Sequence, residues 1–253
     1  LLNQYFSPVV VAAKAISANI TSQINVFSNN FNIGLYPPII KYYAAGEKKE
    51  MFSLIFNGSK FTFFLMWIFG LPLFLEMEAV LTLWLKNPPE YSVLFSRLAL
   101  IEVLINSSGL PLITAARAPG KMKVYELTLG MLQIWIFVFA WILLKIGAAA
   151  HSVFIVTIIG NVIMFIVRLF IVRGLIQLKI SHFTTQVMLP IMGIVLISAI
   201  PSFVIHLLLP EGLVHVILSV ILSVIFSTIS MYFIGLSKEW RRKIAVIVVS
   251  KFH

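Results

Sequence analysis

Apolar runs of bilayer-crossing length, roughly 20 residues each, recur along almost the whole chain. Seven full runs are legible, at about 9–36, 61–85, 91–116, 124–146, 151–176, 184–209 and 212–236, and residues 1–7 read as the end of an eighth. The breaks carry helix-stopping chemistry: Pro37-Pro38, Gly46, Asn87-Pro88-Pro89, Pro119-Gly120, Gly147 and Pro210-Glu211-Gly212. Pro72, Pro111, Pro190 and Pro201 fall inside runs, which predicts kinks or local unwinding there. The pattern predicts an all-α integral membrane protein: a polytopic transmembrane helix bundle of about seven full spans plus a partial one.

Composition sharpens this. The chain has 253 residues, 60% hydrophobic and 11% charged, with a mean hydropathy of +1.02. Soluble domains carry about 25% charged residues, and a soluble fold of this size could not hide so much apolar surface. Cysteine is absent, which excludes disulfides and thiolate metal sites. The net charge is +10, with no Asp. No soluble surface is left for a nucleic-acid patch. The basic excess therefore reads as the cytoplasmic bias of Lys and Arg and their attraction to anionic headgroups.

The positions of the basic residues predict an orientation. Lys41, Lys48, Lys49, Lys60, Arg117, Lys121, Lys123, Arg168, Arg173, Lys179, Lys238, Arg241, Arg242, Lys243 and Lys251 fall in one set of connections and the tail. Only Lys86 and Lys145 fall in the other set, with Lys14 and Arg97 in or near helices. The positive-inside rule makes the crowded side, and the C-terminus, cytoplasmic. Glu76, Glu78, Glu90 and Glu211 then lie on the outer side. Residues 237–253 read as a basic tail at the cytoplasmic interface.

The run at 9–36 differs from the others. Lys14, Thr21 and Ser28 recur every seven residues, with Ala18, Asn25 and Asn32 beside them and Ile20, Ile24, Phe27 and Phe31 opposite. Bonding between helices explains one or two amides, but Asn19, Gln23, Asn25, Asn29, Asn30 and Asn32 are six. The expectation is a polar face lining a water-filled cavity. Lys14 either meets an anionic group there or snorkels to the interface. Arg97 and Glu102 share one run, five residues apart, and pair with each other or with other helices. The candidate substrate-binding residues are Lys14, Thr21, Asn25, Ser28, Asn32, Arg97 and Glu102. No HExxH, P-loop, GxSxG or dinucleotide-binding glycine turn is present. His151, His182, His206, His215 and His253 lack ligand spacing and read as interfacial. No metal, cofactor or enzymatic reaction is expected.

Three segments carry a resemblance: LLNQYFSPVVVAAKAI (1–16), YPPIIKYYAAGE (36–47) and LITAARAPGKMKVYE (112–126). The long polar helix ending in proline, isoleucines, a Lys and an Ala-x-Gly-Glu turn, followed later by Gly-Lys-x-Lys-x-Tyr, resembles the Wzx-type polysaccharide flippases. These belong to the multidrug/oligosaccharidyl-lipid/polysaccharide exporter superfamily. The resemblance covers nearly the whole chain, its last third being generic apolar sequence. It implies the C-terminal half of a longer, two-lobe transporter. Residues 1–176 would form the second lobe, 177–236 an extra helix pair and 237–253 the tail. The implied function is transport of an undecaprenyl-pyrophosphate-linked oligosaccharide from the inner to the outer leaflet of the bacterial cytoplasmic membrane by alternating access. Lys14 stands where relatives often carry Arg and is implied to meet the pyrophosphate, with Asn25 and Asn32 at sugar hydroxyls. Membrane lipids and other polysaccharide-assembly proteins are the implied partners. The residues alone leave open a drug/cation antiporter of the same superfamily, a membrane polymerase or acyltransferase, and a structural membrane subunit.

Overall fold

The computed structural model describes residues 2–210, 212–236 and 241. Pro8 opens a 37-residue helix, where its missing N–H is no loss, and Ser7 ahead of it is extended. This break separates a short α1 (Leu2–Tyr5) from α2 (Pro8–Ala44). α2 runs straight through Pro37 and Pro38, where the sequence predicts a stop. Proline's fixed φ suits a helix, and what is lost is two N–H donors. The carbonyls left over belong to Ile33 and Gly34, both exposed. α2 ends instead at Gly46, whose φ of 74° admits a left-handed turn. There Glu47 N–H donates to Tyr42 O (2.9 Å) and Gly46 N–H to Tyr43 O (3.1 Å), satisfying the last carbonyls.

α3 (Lys48–Leu75) starts well before the expected residue 61. Its first turns hold Lys48, Lys49, Glu50, Asn57 and Lys60, which in sequence look like a connection. Lys60 belongs to the helix, and its Nζ donates to Gly235 O at 3.2 Å. α3 ends three residues after Pro72, and α4 (Met77–Leu85) follows. One expected run is broken at Ser108-Gly109 into α5 (Ser92–Ser107) and α6 (Leu110–Arg117), with Pro111 at the second helix's start. α7 (Met122–Lys145) and α8 (Ser152–Ile176) lie where expected. Then α9 (Ile180–Phe183) widens into a π-helical turn (Thr184–Met188) just ahead of Pro190, and α10 (Leu189–Leu208) continues. This is the local unwinding that proline predicts. α11 (Leu213–Ser230) ends in a second π turn (Met231–Gly235).

Among the described residues, six helical stretches are long and apolar enough to cross a membrane: Lys48–Leu75, Ser92–Arg117, Met122–Lys145, Ser152–Ile176, Ile180–Leu208 and Leu213–Gly235. α2 has the length but is too polar to join them. The protein is thus an all-helical, multi-pass membrane bundle, with six apolar helices and one polar one where seven spans were expected.

α3 is the hub: α2, α5, α6, α10 and α11 all pack on it, while α8 joins α5, α6 and α7. The main core gathers Phe63, Trp67 and Leu71 of α3, Leu112 of α6 and Phe165 of α8, with Phe183 and Ile194 from the α9–α10 stretch. The pair α10–α11, expected as an addition, sits directly on α3. α11 meets the bundle through a stripe of small residues, Ser219, Ser223 and Ser227, all buried, which lets the helices approach closely. The bundle's outside carries large apolar side chains, among them Trp135, Phe139, Phe170, Leu196, Phe203 and Ile221. Lipid covers such a surface at no cost; water would not. The expected tail at 237–253 lies outside the described residues apart from Arg241.

Candidate functional site

α2 packs through one side only. Val10, Ala13, Ser17, Thr21, Ile24 and Ser28 are buried on that side, a spacing of three and four that traces one helix face. Lys14, Asn25 and Asn32 are half-buried along its margin. The sequence-predicted polar set therefore faces neighbouring helices. Its hydroxyls are satisfied within α2: Thr21 donates to Ser17 O (3.0 Å) and Ser28 to Asn25 O (3.1 Å). Asn32 Nδ2 donates to Ser28 O (2.7 Å) and across to Thr62 Oγ1 of α3 (3.1 Å). Asn32 is glue between helices.

The exposed side of α2 is a different set. Asn19, Ser22, Gln23, Asn29 and Asn30 are all exposed there, interleaved with Ala15, Val26 and Ile33. Sequence periodicity picked the heptad through Lys14 as the cavity face. The hydroxyls at 21 and 28 made that heptad look wet, although side chains this short bond back to their own helix. The residues expected opposite it do not share one environment: Ile24 is buried, while Phe27 is exposed and stacks on Phe69 with ring centroids 5.1 Å apart.

Lys14 and Glu102 do come together. α2 packs on α5, and α5 on α8. Glu102 is within electrostatic reach of Lys14 and of the Asn161 side chain of α8. Asn161 is buried and its Nδ2 has no hydrogen bond of ordinary geometry. The Lys14 ammonium lies 4.2 Å from the centre of the Phe154 ring, also on α8. A cation, an anion and an amide thus share the interior where three helices meet.

Arg97 is elsewhere. Its Nε donates to Phe74 O (2.9 Å) and its Nη2 to Leu75 O (3.2 Å). These are the orphan carbonyls at the end of α3, where a cation also meets the negative end of the helix dipole. Arg97 and Glu102 are not an ion pair. Arg168, placed by sequence near a cytoplasmic helix end, is buried inside α8, with its guanidinium against Gly109 at the α5–α6 break.

No protein-family model matches this chain, and neither a curated protein nor a solved structure matches it. What the protein does must therefore be argued from its own side chains.

Two further features escaped the sequence. The first is a cluster of Glu76, His206 and His215. Glu76, expected in an outer connection where charge is cheap, is 3% exposed. His206 Nδ1 lies 2.7 Å from Glu76 Oε1, and His215 Nε2 lies 3.5 Å from the same oxygen and 3.1 Å from His206 Nδ1. The two histidines, read in sequence as unrelated interfacial residues, are brought together by the α10–α11 turn. Gly212 there has a φ of 150°, open to glycine and strained for other residues. The available signal was the pair of histidines flanking a Pro-x-Gly turn; nothing local pointed to Glu76. The second is a cavity of about 700 Å3 between α3, α5, α8 and α10. Phe63, Trp67, Leu104, Phe165 and Phe203 line it, and Ser108 is its one polar side chain by type. It is fit for a hydrocarbon chain and hostile to anything charged.

Proposed function

We propose that this chain is part of a transporter that moves a lipid-linked, sugar-bearing anion across a bacterial cytoplasmic membrane. The observation that carries the reading is the exposed amide face of α2. Asn19, Gln23, Asn29 and Asn30 stand on the outside of a bundle whose other outer faces are apolar. Amides facing hydrocarbon would lose their hydrogen bonds at a cost of several kcal/mol each. Such a face is at home against water or polar protein. In a two-lobe transporter it would line the central cavity, opposite the other lobe.

Amides suit a glycan, because each offers both donors and an acceptor to sugar hydroxyls. The basic excess of the chain favours an anionic head group. Lys14 is half-buried and shares its charge with Glu102, so in this reading it orients the α2–α5–α8 junction and reaches a phosphate only when that junction opens. The apolar cavity beside α10 would take the prenyl or acyl chain of a lipid. Undecaprenyl-pyrophosphate-linked oligosaccharide, the substrate class implied by the sequence resemblance, combines all three chemistries. The positive-inside rule supplies the cytoplasmic C-terminus, and the same resemblance supplies the partnership with polysaccharide-assembly proteins.

The test uses the natural absence of cysteine. Single cysteines at Asn19, Gln23 and Asn30 should react with a membrane-impermeant thiol reagent, while those at Ser17, Ile24 and Ser28 should not. In liposomes holding the full transporter, the triple change of Asn19, Gln23 and Asn30 to Leu should abolish flipping of the lipid-linked sugar. Equal protection of both cysteine sets, or full flipping by the triple variant, would overturn the proposal.

A further inference from the structure

The cluster at the end of the α10–α11 hairpin has the geometry of a metal site. Glu76 comes from the break between α3 and α4, His206 from the last turn of α10 and His215 from the first turn of α11. The donor atoms Glu76 Oε1, His206 Nδ1 and His215 Nε2 form a triangle with edges of 2.7, 3.1 and 3.5 Å. Zinc binds imidazole nitrogen and carboxylate oxygen at roughly 2.0–2.2 Å, so neighbouring ligands around a tetrahedral ion stand about 3.3–3.5 Å apart. Opening the shortest edge by about 0.6–0.8 Å would seat the ion.

Hydrogen-bond logic points the same way. His215 Nδ1 lies 3.1 Å from Leu209 O. A carbonyl only accepts, so Nδ1 carries a hydrogen, and in the neutral ring Nε2 presents a lone pair. A backbone carbonyl holding the far ring nitrogen is the usual outer support of a metal-bound histidine. Glu76 Oε1 offers only lone pairs when ionised. His206 Nδ1 can give one hydrogen to this group, leaving His215 Nε2 and Glu76 Oε1 facing each other at 3.5 Å with none between them. Two lone-pair atoms, Glu76 Oε1 and His215 Nε2, converge with His206 Nδ1 where Glu76 and His215 are 3% and 8% exposed. A cation at the centre would satisfy all of them.

We propose that Glu76, His206 and His215 bind a divalent transition-metal ion, zinc fitting the ligand set best. Two histidines and one carboxylate form a known zinc triad that leaves a fourth position for water. Binding needs the Nδ1 lone pair of neutral His206, so its proton moves to Nε2, on the ring's opposite edge. His206 is 25% exposed and gives the ion its way in. Among the described residues Arg97 makes no ion pair with Glu76, its guanidinium being held on Phe74 O and Leu75 O. The ion would tie the hairpin to the end of α3, at a place the substrate reading does not involve. By the orientation that the basic residues imply, this end faces outward.

The test is zinc titration of the metal-stripped protein in detergent, read against a chromophoric chelator. One zinc per chain should bind with a dissociation constant below about 1 µM. Glu76→Gln, His206→Gln and His215→Gln should each weaken binding by about a hundredfold or more, and His182→Gln should leave it unchanged. Zinc should raise the melting temperature of the wild type but not of the three variants. Because a variant can misfold, cobalt is added to the wild type as well, where the visible bands of a tetrahedral ion are expected. Wild-type protein that takes up no zinc above a micelle blank, or zinc binding unaltered in all three folded variants, overturns the site.

Discussion

Arg97 Nε donates to the carbonyl oxygen of Phe74 at 2.9 Å, so a cation of α5 closes the C-terminal end of α3. The same guanidinium reaches Leu75 O at 3.2 Å. A forked donor fits two adjacent carbonyls as a lysine cannot. Arg97→Lys should lower stability by about 1 kcal/mol and Arg97→Leu by about 2–3 kcal/mol, because two part-buried acceptors lose partners. Thermal unfolding in detergent checks this. Equal stability of all three proteins would show that the carbonyls find other donors.

Lys14 and Glu102 lie within electrostatic reach of one another where α2, α5 and α8 meet. Removing one charge strands the other in a poorly solvated place, which costs more than removing both. Lys14→Gln and Glu102→Gln should each destabilise, and the double variant should recover much of the loss. The expected coupling in a double-mutant cycle is about 0.5–3 kcal/mol. Strict additivity would mean that the two groups do not sense each other.

Gly235 and Gly130 offer a contrast in packing. A Cβ on Gly235 would run into the Phe64 ring and come within 3.2 Å of Ile194 Cδ1, while nothing lies within 4 Å of one on Gly130. Gly235→Ala should cost about 1–3 kcal/mol by overpacking. Gly130→Ala should be neutral or gain up to about 1 kcal/mol from helix propensity. Melting temperatures of the two variants, taken side by side, test whether α11 docks on α3 as described.

Trp67 Nε1 donates to Ser198 Oγ at 2.8 Å, and that hydroxyl donates on to Ile194 O at 2.6 Å. This is a polar link between α3 and α10 inside an apolar core. Hydrogen bonds between membrane helices average about 0.6 kcal/mol. Trp67→Phe should cost more than this, since the smaller ring also loses contacts beside the 700 Å3 cavity. Ser198→Ala should cost close to the average. A reversed order would assign the stabilisation to the hydroxyl rather than to the ring.

Most of the helices were legible in the sequence. Length and hydropathy fix where a chain can cross a bilayer, because every backbone group there must bond internally. The runs ending near Lys145, Ile176, Leu208 and Gly235 were legible for that reason. Glycine at 46 and 147 marked helix ends correctly, since a left-handed turn there is a local property. Pro37-Pro38 misled, because a proline pair weakens a helix without forbidding it where the freed carbonyls stay exposed. The early start of α3 was hidden because Lys60 and its neighbours find partners far away in sequence, Gly235 among them.

Which side of α2 stays exposed depends on the tertiary structure. Polarity alone cannot tell a buried hydroxyl, bonded to its own helix, from an exposed amide. The position of α3 and α5 around the helix makes that distinction. The same holds for the cluster at Glu76. The spacing of His206 and His215 could have suggested a pair, but the third ligand lies 130 residues away. It arrives only because α10 and α11 fold back onto α3 and carry both imidazoles to the end of that helix. Helix formation in a membrane is a local bargain between backbone and lipid. Sites arise from packing between distant segments, and that information is not written in any one stretch of the chain.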